Sequence, residues 1–173
     1  ALIRCRLRQL SGSDMDDLVN RLAPLTYDPR YLDLYEGFID AMASEQCVAN
    51  ATAELDRLLS TMLANDKSLV PGSLSLSHVH YLSGLTALKL QKPEPAMAHF
   101  VASVSAQPKP SATMKMAGLM ATAQHYEKAL DLSDLALRQI EENQAGVLGN
   151  VKVIEDNIHE FRRVVRAEMD AAD

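Results

Sequence analysis

The sequence contains no tryptophan, few aromatic residues and no long alternation of β-branched with polar residues. Aromatic side chains make up only 5% of the 173 residues, whereas alanine, leucine and methionine are plentiful. Strands favour β-branched and aromatic residues, while alanine and unbranched side chains lose little entropy in a helix. The composition therefore argues against a β-sandwich and predicts an all-α fold.

An excess of positive charge is also missing. The formal net charge is −6 at pH 7, and a basic cluster at the N-terminus is formed by Arg4, Arg6 and Arg8. An acidic domain binds the phosphate backbone poorly, so we expect no nucleic-acid partner.

No apolar run reaches the roughly 18–20 residues of a membrane span, and no signal-peptide pattern is present. The chain begins at Ala1 without methionine, in what reads as the middle of an element. We therefore expect a fragment or a processed product, and a membrane tether before Ala1 is compatible with that expectation.

Cysteine occurs only twice, at Cys5 and Cys47. No CxxC or Cys/His pattern with zinc spacing is present. Two interpretations stay open. The cysteines are either unpaired small apolar residues or one disulfide between the N-terminal segment and the second helix, which requires an oxidising compartment.

Turn and capping signals divide the chain into helical segments that we treat as one domain. Residues 1–10 are a lead-in segment, and residues 11–66 are expected to form degenerate helical hairpins, with a helix over about 47–64. Residues 75–143 hold two repeats, with helices over about 75–91, 94–106, 110–123 and 126–142. Residues 146–173 hold a polar helix over about 151–171 that caps the C-terminal end.

Self-similarity at a fixed period is typical of helical repeat proteins. Residues 77–110 and 110–143 both resemble the tetratricopeptide repeat. In the first copy, Gly84 stands at the small position of the first helix, and Ala96 and Phe100 match the small and aromatic positions of the second. Ser103 matches the next small position, and Pro108 matches the closing proline of the motif.

The second copy has Ala117 in place of the glycine. Tyr126 and Ala129 match the turn and second-helix signature, and Ala136 supplies the later small residue. Two departures concern large residues: Ser133 replaces the aromatic of the second helix, and the aromatic late in the first helix is absent from both copies, as Ala87 and Met120.

The resemblance implies a stack of antiparallel helical hairpins, because small residues let two helices approach closely. In this family the first helix of each hairpin lines an inner groove that binds a protein or peptide. The corresponding residues here are His78, Tyr81, Leu85, Leu88 and Lys89 in the first repeat, and Met114, Lys115, Gly118 and Thr122 in the second. The alternative is that several of them contact a neighbouring helix instead.

The sequence has no pattern typical of catalysis. No GxSxG, P-loop, HExxH or dinucleotide-binding motif occurs. His78 and His80 are two residues apart, a spacing that points them in different directions on a helix, and the other histidines are scattered. We therefore predict no metal, no cofactor and no enzymatic activity.

The leading interpretation is a non-catalytic interaction or scaffold module. The layout is also similar to the C-terminal periplasmic region of bacterial membrane-bound polysaccharide polymerases and O-oligosaccharide ligases. That similarity implies a soluble, non-catalytic tail in the periplasm, with the cytoplasm as the alternative compartment. A secretion chaperone is a further alternative, and a helical enzyme with a dispersed site has no feature in its favour. The partner and the oligomeric state are not indicated.

Overall fold

The structure, a computed structural model, describes residues 49–65, 69–142 and 151–172. In these ranges 87% of the residues are helical and no strand occurs. The helices are α1 Ala49–Asn65, α2 Leu74–Lys89, α3 Pro93–Ala106, α4 Pro110–Thr122, α5 Tyr126–Glu142 and α6 Val151–Ala172. The predicted all-α class is confirmed, and these helices begin and end within two residues of the predicted bounds.

Several sequence predictions lie outside the described residues. These are the Arg4, Arg6 and Arg8 cluster, the pairing of Cys5 with Cys47, and most of the degenerate hairpins in 11–66.

Capping residues set where the helices begin. The Ser73 hydroxyl accepts a hydrogen bond from the Leu76 N–H at 3.1 Å and caps α2. Pro93 and Pro110 occupy the first positions of α3 and α4. Proline suits this position because its missing N–H would have no partner within the helix. Pro93 is thus part of α3, whereas the sequence placed it in the preceding loop.

The turns from α2 to α3 and from α4 to α5 share one geometry. Gln91 and Gln124 both adopt left-handed backbone conformations, with φ of 57° and 61°. In the first turn, Lys92 N–H bonds the Ala87 carbonyl at 2.9 Å and Gln91 N–H bonds that of Leu88 at 3.0 Å. The second turn repeats both bonds around Gln124. Each turn is therefore a Schellman motif, in which the two bonds satisfy the last carbonyls of a helix.

The helices of the first hairpin pack antiparallel. Ser77 bonds Ser103, whose hydroxyl donates to the Ser77 carbonyl at 2.7 Å, and the Tyr81 ring lies against Phe100. Gly84 also lies against Phe100. Contact positions thus fall along α3 as they rise along α2, which is the antiparallel arrangement.

Buried small residues recur at equivalent positions of the two hairpins. Two positions are equivalent when they are separated in the sequence by the same interval as Gln91 and Gln124. Ala96 and Ala129 are both fully buried, as are Ser103 and Ala136, and Gly84 and Ala117 are both buried. Two helices can approach closely only where such residues face each other. The described part of the chain therefore contains a repeated helical hairpin.

Helix α2 is buried on all sides. Its buried positions, 77–79 and 81–87, cover every face of the helix. It shares one core with Leu55 and Leu59 of α1, Phe100 of α3 and Ala112 of α4. A helix without a polar face belongs in the interior, and α2 is the central helix of this core.

A second core joins α5 to α6. Ile140 of α5 and Ile158 of α6 are buried together, and Met114 of α4 packs against them. Near this core Arg162 bonds Asp134, at the edge of the same interface. Outside this seam α6 is mostly exposed and polar.

Candidate functional site

The predicted groove residues of α2 are mostly buried. His78, Tyr81 and Leu85 are 0%, 1% and 7% exposed, and Leu88 is partly buried against the core. Only Lys89 is exposed. The first three residues do not line an open groove, because α1, α3 and α4 share the core in which α2 lies. The groove prediction is therefore not met at His78, Tyr81 and Leu85, whereas Lys89 has the exposure that it requires.

The interior contacts of Tyr81 explain its burial. Its ring centroid lies 5.9 Å from that of Phe100, and the Lys109 ammonium lies 5.0 Å from the centre of the ring. Such aromatic and cation–π contacts stabilise the hairpin rather than a bound ligand.

The predicted groove residues of α4 form an accessible surface. Lys115 and Thr122 are exposed, and Gly118 is partly exposed. Their spacing of three and four residues places them on one side of the helix. Met114 is the exception, because it packs against the core between α5 and α6. We name the surface formed by Lys115, Gly118 and Thr122 the α4 face.

Gly118 forms an opening at the centre of the α4 face. Among the residues that the structure describes, no atom lies within 4 Å of where a Cβ at Gly118 would be, and the Thr122 hydroxyl donates to the Gly118 carbonyl at 2.9 Å. The equivalent position of the first hairpin is Leu85, which is buried in the core. The two hairpins therefore differ here, with a core side chain in the first and open space in the second.

A pair of histidines joins α2 to α3. The Nδ1 atoms of His80 and His99 lie 3.2 Å apart and their ring centroids 5.5 Å apart. The centroids are further apart than the nitrogens by about two ring radii, so the two Nδ1 atoms point at each other. One ring donates a hydrogen bond to the other, and which one donates depends on the tautomers.

The surroundings of this pair disfavour positive charge. Burial lowers the pKa of His80, and the neighbouring His99 lowers it further. Burial also lowers the pKa of His99, although the Asp56 carboxylate of α1 opposes that shift. Asp56 in turn lies 3.6 Å from the Lys92 ammonium in the turn between α2 and α3.

Arginines line an open depression of about 430 Å³ on α6, together with His159, Ala167 and Asp170. Arg162 bonds Asp134, and Arg163 bonds Glu160 at 2.6 Å. The hydrogen bond from Arg163 lowers the pKa of Glu160. Carboxylates thus already neutralise two of these arginines, and Asp170 is itself one of the lining residues, so the depression is not a strongly cationic site.

Within the described ranges, no three His, Cys, Asp or Glu side chains are grouped so that they could hold a metal ion. No helix in the same ranges combines the length and hydrophobicity needed to cross a membrane.

The spacing of the histidines along the chain did not indicate this pair, because His80 and His99 lie on different helices. A signal was nevertheless available. His80 and His99 lie at comparable distances before and after the turn at residues 90–92, so an antiparallel hairpin brings them to the same level. Pairing residues across each predicted turn, rather than by sequence spacing alone, finds this contact.

No protein-family model, curated protein or solved structure matches this chain. The tetratricopeptide resemblance and the periplasmic context therefore stay predictions.

Proposed function

We propose that this chain is a non-catalytic protein-interaction module of tetratricopeptide-like hairpins, which binds a protein or peptide segment on the α4 face. The repeated hairpin supports the proposal, because stacked hairpins commonly present an extended binding surface. The accessible surface belongs to the second hairpin, since the corresponding helix of the first is buried.

The observation that carries the proposal is the open glycine of the α4 face. A glycine inside a helix costs roughly 1 kcal/mol relative to alanine. Gly84 is explained by its contact with Phe100, but no atom of the described residues lies where a Cβ of Gly118 would point. Close approach by another backbone is a common reason for a glycine, and the α4 face offers room for one.

The distribution of charge supports a partner segment with acidic side chains. Residues 69–125 contain four lysines and one glutamate, with no aspartate or arginine, although the whole chain has a net charge of −6. Lys89 and Lys115 are exposed within this region. Complementary charge speeds association and favours the correct partner.

Site-specific photo-crosslinking in cells that make the full-length protein tests the proposal. A photoreactive amino acid would replace Lys115 or Thr122 on the α4 face, and Glu127 on α5 as an exposed control. We expect positions 115 and 122 to capture the same protein, and position 127 not to capture it.

Substitutions at Gly118 test whether the captured protein binds on the α4 face. Gly118→Arg should abolish the shared crosslink, because the arginine fills the opening, and Gly118→Ala should weaken it, because the added Cβ lies where the partner backbone approaches. A crosslink that persists in Gly118→Arg, or that appears equally from position 127, would contradict the proposal. Circular dichroism of both variants verifies that they fold.

A further inference from the structure

The contact between His80 and His99 has a limited capacity for protons. In the neutral pair, one ring carries its proton on Nδ1 and donates it to the unprotonated Nδ1 of the other ring. The accepting ring carries its own proton on Nε2. Each ring therefore has one nitrogen without a proton, but only the Nε2 of the donating ring lies outside the contact.

The first proton taken from solvent adds to that Nε2 atom. The contact survives, because the donating ring becomes a cation that still donates to a neutral acceptor. The second proton has only the accepting Nδ1 atom to bind. The Nδ1–H group of the accepting ring would then point at the Nδ1–H group of the donating ring. The two imidazolium cations would lie 3.2 Å apart at their nearest nitrogens. The rings must separate before the second proton can bind.

We propose that the His80–His99 contact is a proton-sensitive latch, which holds α2 against α3 at neutral pH and opens when both rings are protonated. The inference goes beyond the proposed function and does not depend on it. Both rings are half-buried, and the hairpin that they join contains the central helix of the core. Opening the latch therefore acts on the most buried part of the described structure.

The neighbouring charges do not cancel this effect. Asp56 favours the protonated form of His99, but its carboxylate also lies 3.6 Å from the Lys92 ammonium. The Lys92 ammonium therefore offsets part of the attraction between Asp56 and a protonated His99. Among the side chains that the structure describes, the other titratable or charged groups on the packed elements are Arg57 of α1, His78, Tyr81 and Lys89 of α2, Glu94 of α3, and Lys109 and Lys115 at α4.

The sign of the pH dependence follows from linkage. The folded-state pKa values of both histidines lie below the ordinary value, so the unfolded chain binds more protons in mild acid. Stability is complete above the ordinary histidine pKa of about 6.5 and falls as the pH drops below it. At pH 5.5, each histidine that stays neutral in the folded state raises the unfolding equilibrium constant by about tenfold.

The second hairpin provides an internal control. The positions equivalent to His80 and His99 are Thr113 and Leu132, so α4 and α5 share the turn geometry but lack the latch. Backbone amide exchange measured from pH 7.5 to 5.5, and corrected for intrinsic exchange rates, compares the two hairpins in one molecule. We expect acid to weaken protection in α2 and α3 more than in α4 and α5.

Substitutions test the assignment to these two rings. Between pH 7.5 and 5.5, the unfolding equilibrium constant measured in urea should rise about tenfold less in His80→Gln than in the wild type. The same difference is expected for His99→Gln. His125→Gln removes an exposed histidine outside the contact and should keep the wild-type response. Equal acid responses in all four proteins would overturn the proposal.

Nitrogen NMR of the wild-type imidazoles keeps the proposal testable if the glutamine variants fail to fold. At pH 7.5 we expect one ring of the pair to carry its proton on Nδ1 and the other on Nε2. Finding both rings protonated on Nε2 would rule out the hydrogen bond, and therefore the latch.

Discussion

Gly84 of α2 lies directly against the ring of Phe100 on α3. A Cβ atom at residue 84 would lie 2.7 Å from Cδ1 and 2.9 Å from Cζ of that ring, and closer still to Cε1. Phe100 is fully buried, so its ring has little room to move aside. This contact sets how closely the two helices of the first hairpin approach.

The two helical glycines should respond in opposite directions to alanine. Gly84→Ala should destabilise the protein by about 1–3 kcal/mol, because the added methyl overpacks the contact with Phe100. Gly118→Ala should stabilise it by about 1 kcal/mol, since alanine favours the helix and the methyl meets open space. Urea unfolding of the two variants measures both effects. Shifts of the same sign would contradict the contrast between the two positions.

Glycine at the ends of α2 and α4 should stabilise the two turns. Gln91 and Gln124 adopt left-handed conformations that cost a side-chain-bearing residue roughly 1 kcal/mol relative to glycine. Gln91→Gly and Gln124→Gly should each raise the free energy of unfolding by about that amount, measured by thermal or urea unfolding. Gln91→Ala removes the same side chain without relieving the backbone, and should therefore bring no comparable gain.

A buried polar contact in the second hairpin should be costly to remove. The Thr113 hydroxyl donates to Oε1 of Gln139 at 2.8 Å, and both residues are buried. Thr113→Val keeps the shape but leaves the glutamine oxygen without this donor, which should cost about 1–3 kcal/mol. Thr122→Val is the control, because the Thr122 hydroxyl bonds a carbonyl at an exposed position. Similar losses in both variants would contradict this account.

The two ion pairs of α6 should differ in their effect on stability. The Arg162 side chain is 17% exposed and bonds Asp134 of α5, whereas Arg163 is 69% exposed and pairs within α6. Arg162→Ala should lower the free energy of unfolding by about 1 kcal/mol, including lost packing of the side-chain stem. Arg163→Ala should cause no measurable change. Chemical unfolding at low and moderate salt compares the two, and an equal loss would contradict the difference in burial.

Much of this fold could be predicted from the sequence because its signals are local. Pro110 marks the start of α4, and the predicted bounds of α5 match those observed. The small residues Gly84 and Ala117 indicated close helix contacts, and both are buried. Proline geometry, side-chain entropy and the helical period depend on near neighbours in the chain, so they can be read without the fold.

The exposure of the candidate site was predicted less well. Tyr81 and Lys115 both belong to first helices of a repeat, and the repeat pattern treats those helices alike. The structure buries Tyr81 and exposes Lys115, because α1 packs on α2 and the surroundings of the two helices differ. The repeat pattern contains no information about which helix the rest of the chain covers.

The sequence by itself determined the all-α class, the positions of the described helices and the regular interval between the two hairpins, because local propensities and turns encode them. Only the tertiary structure decided that His80 meets His99, that Gly118 stays open while Gly84 is filled, and that α2 lies inside the core. These features depend on contacts between helices, whose partners the chain does not specify until it folds. The burial of side chains and the contacts between helices are therefore tertiary properties of this protein.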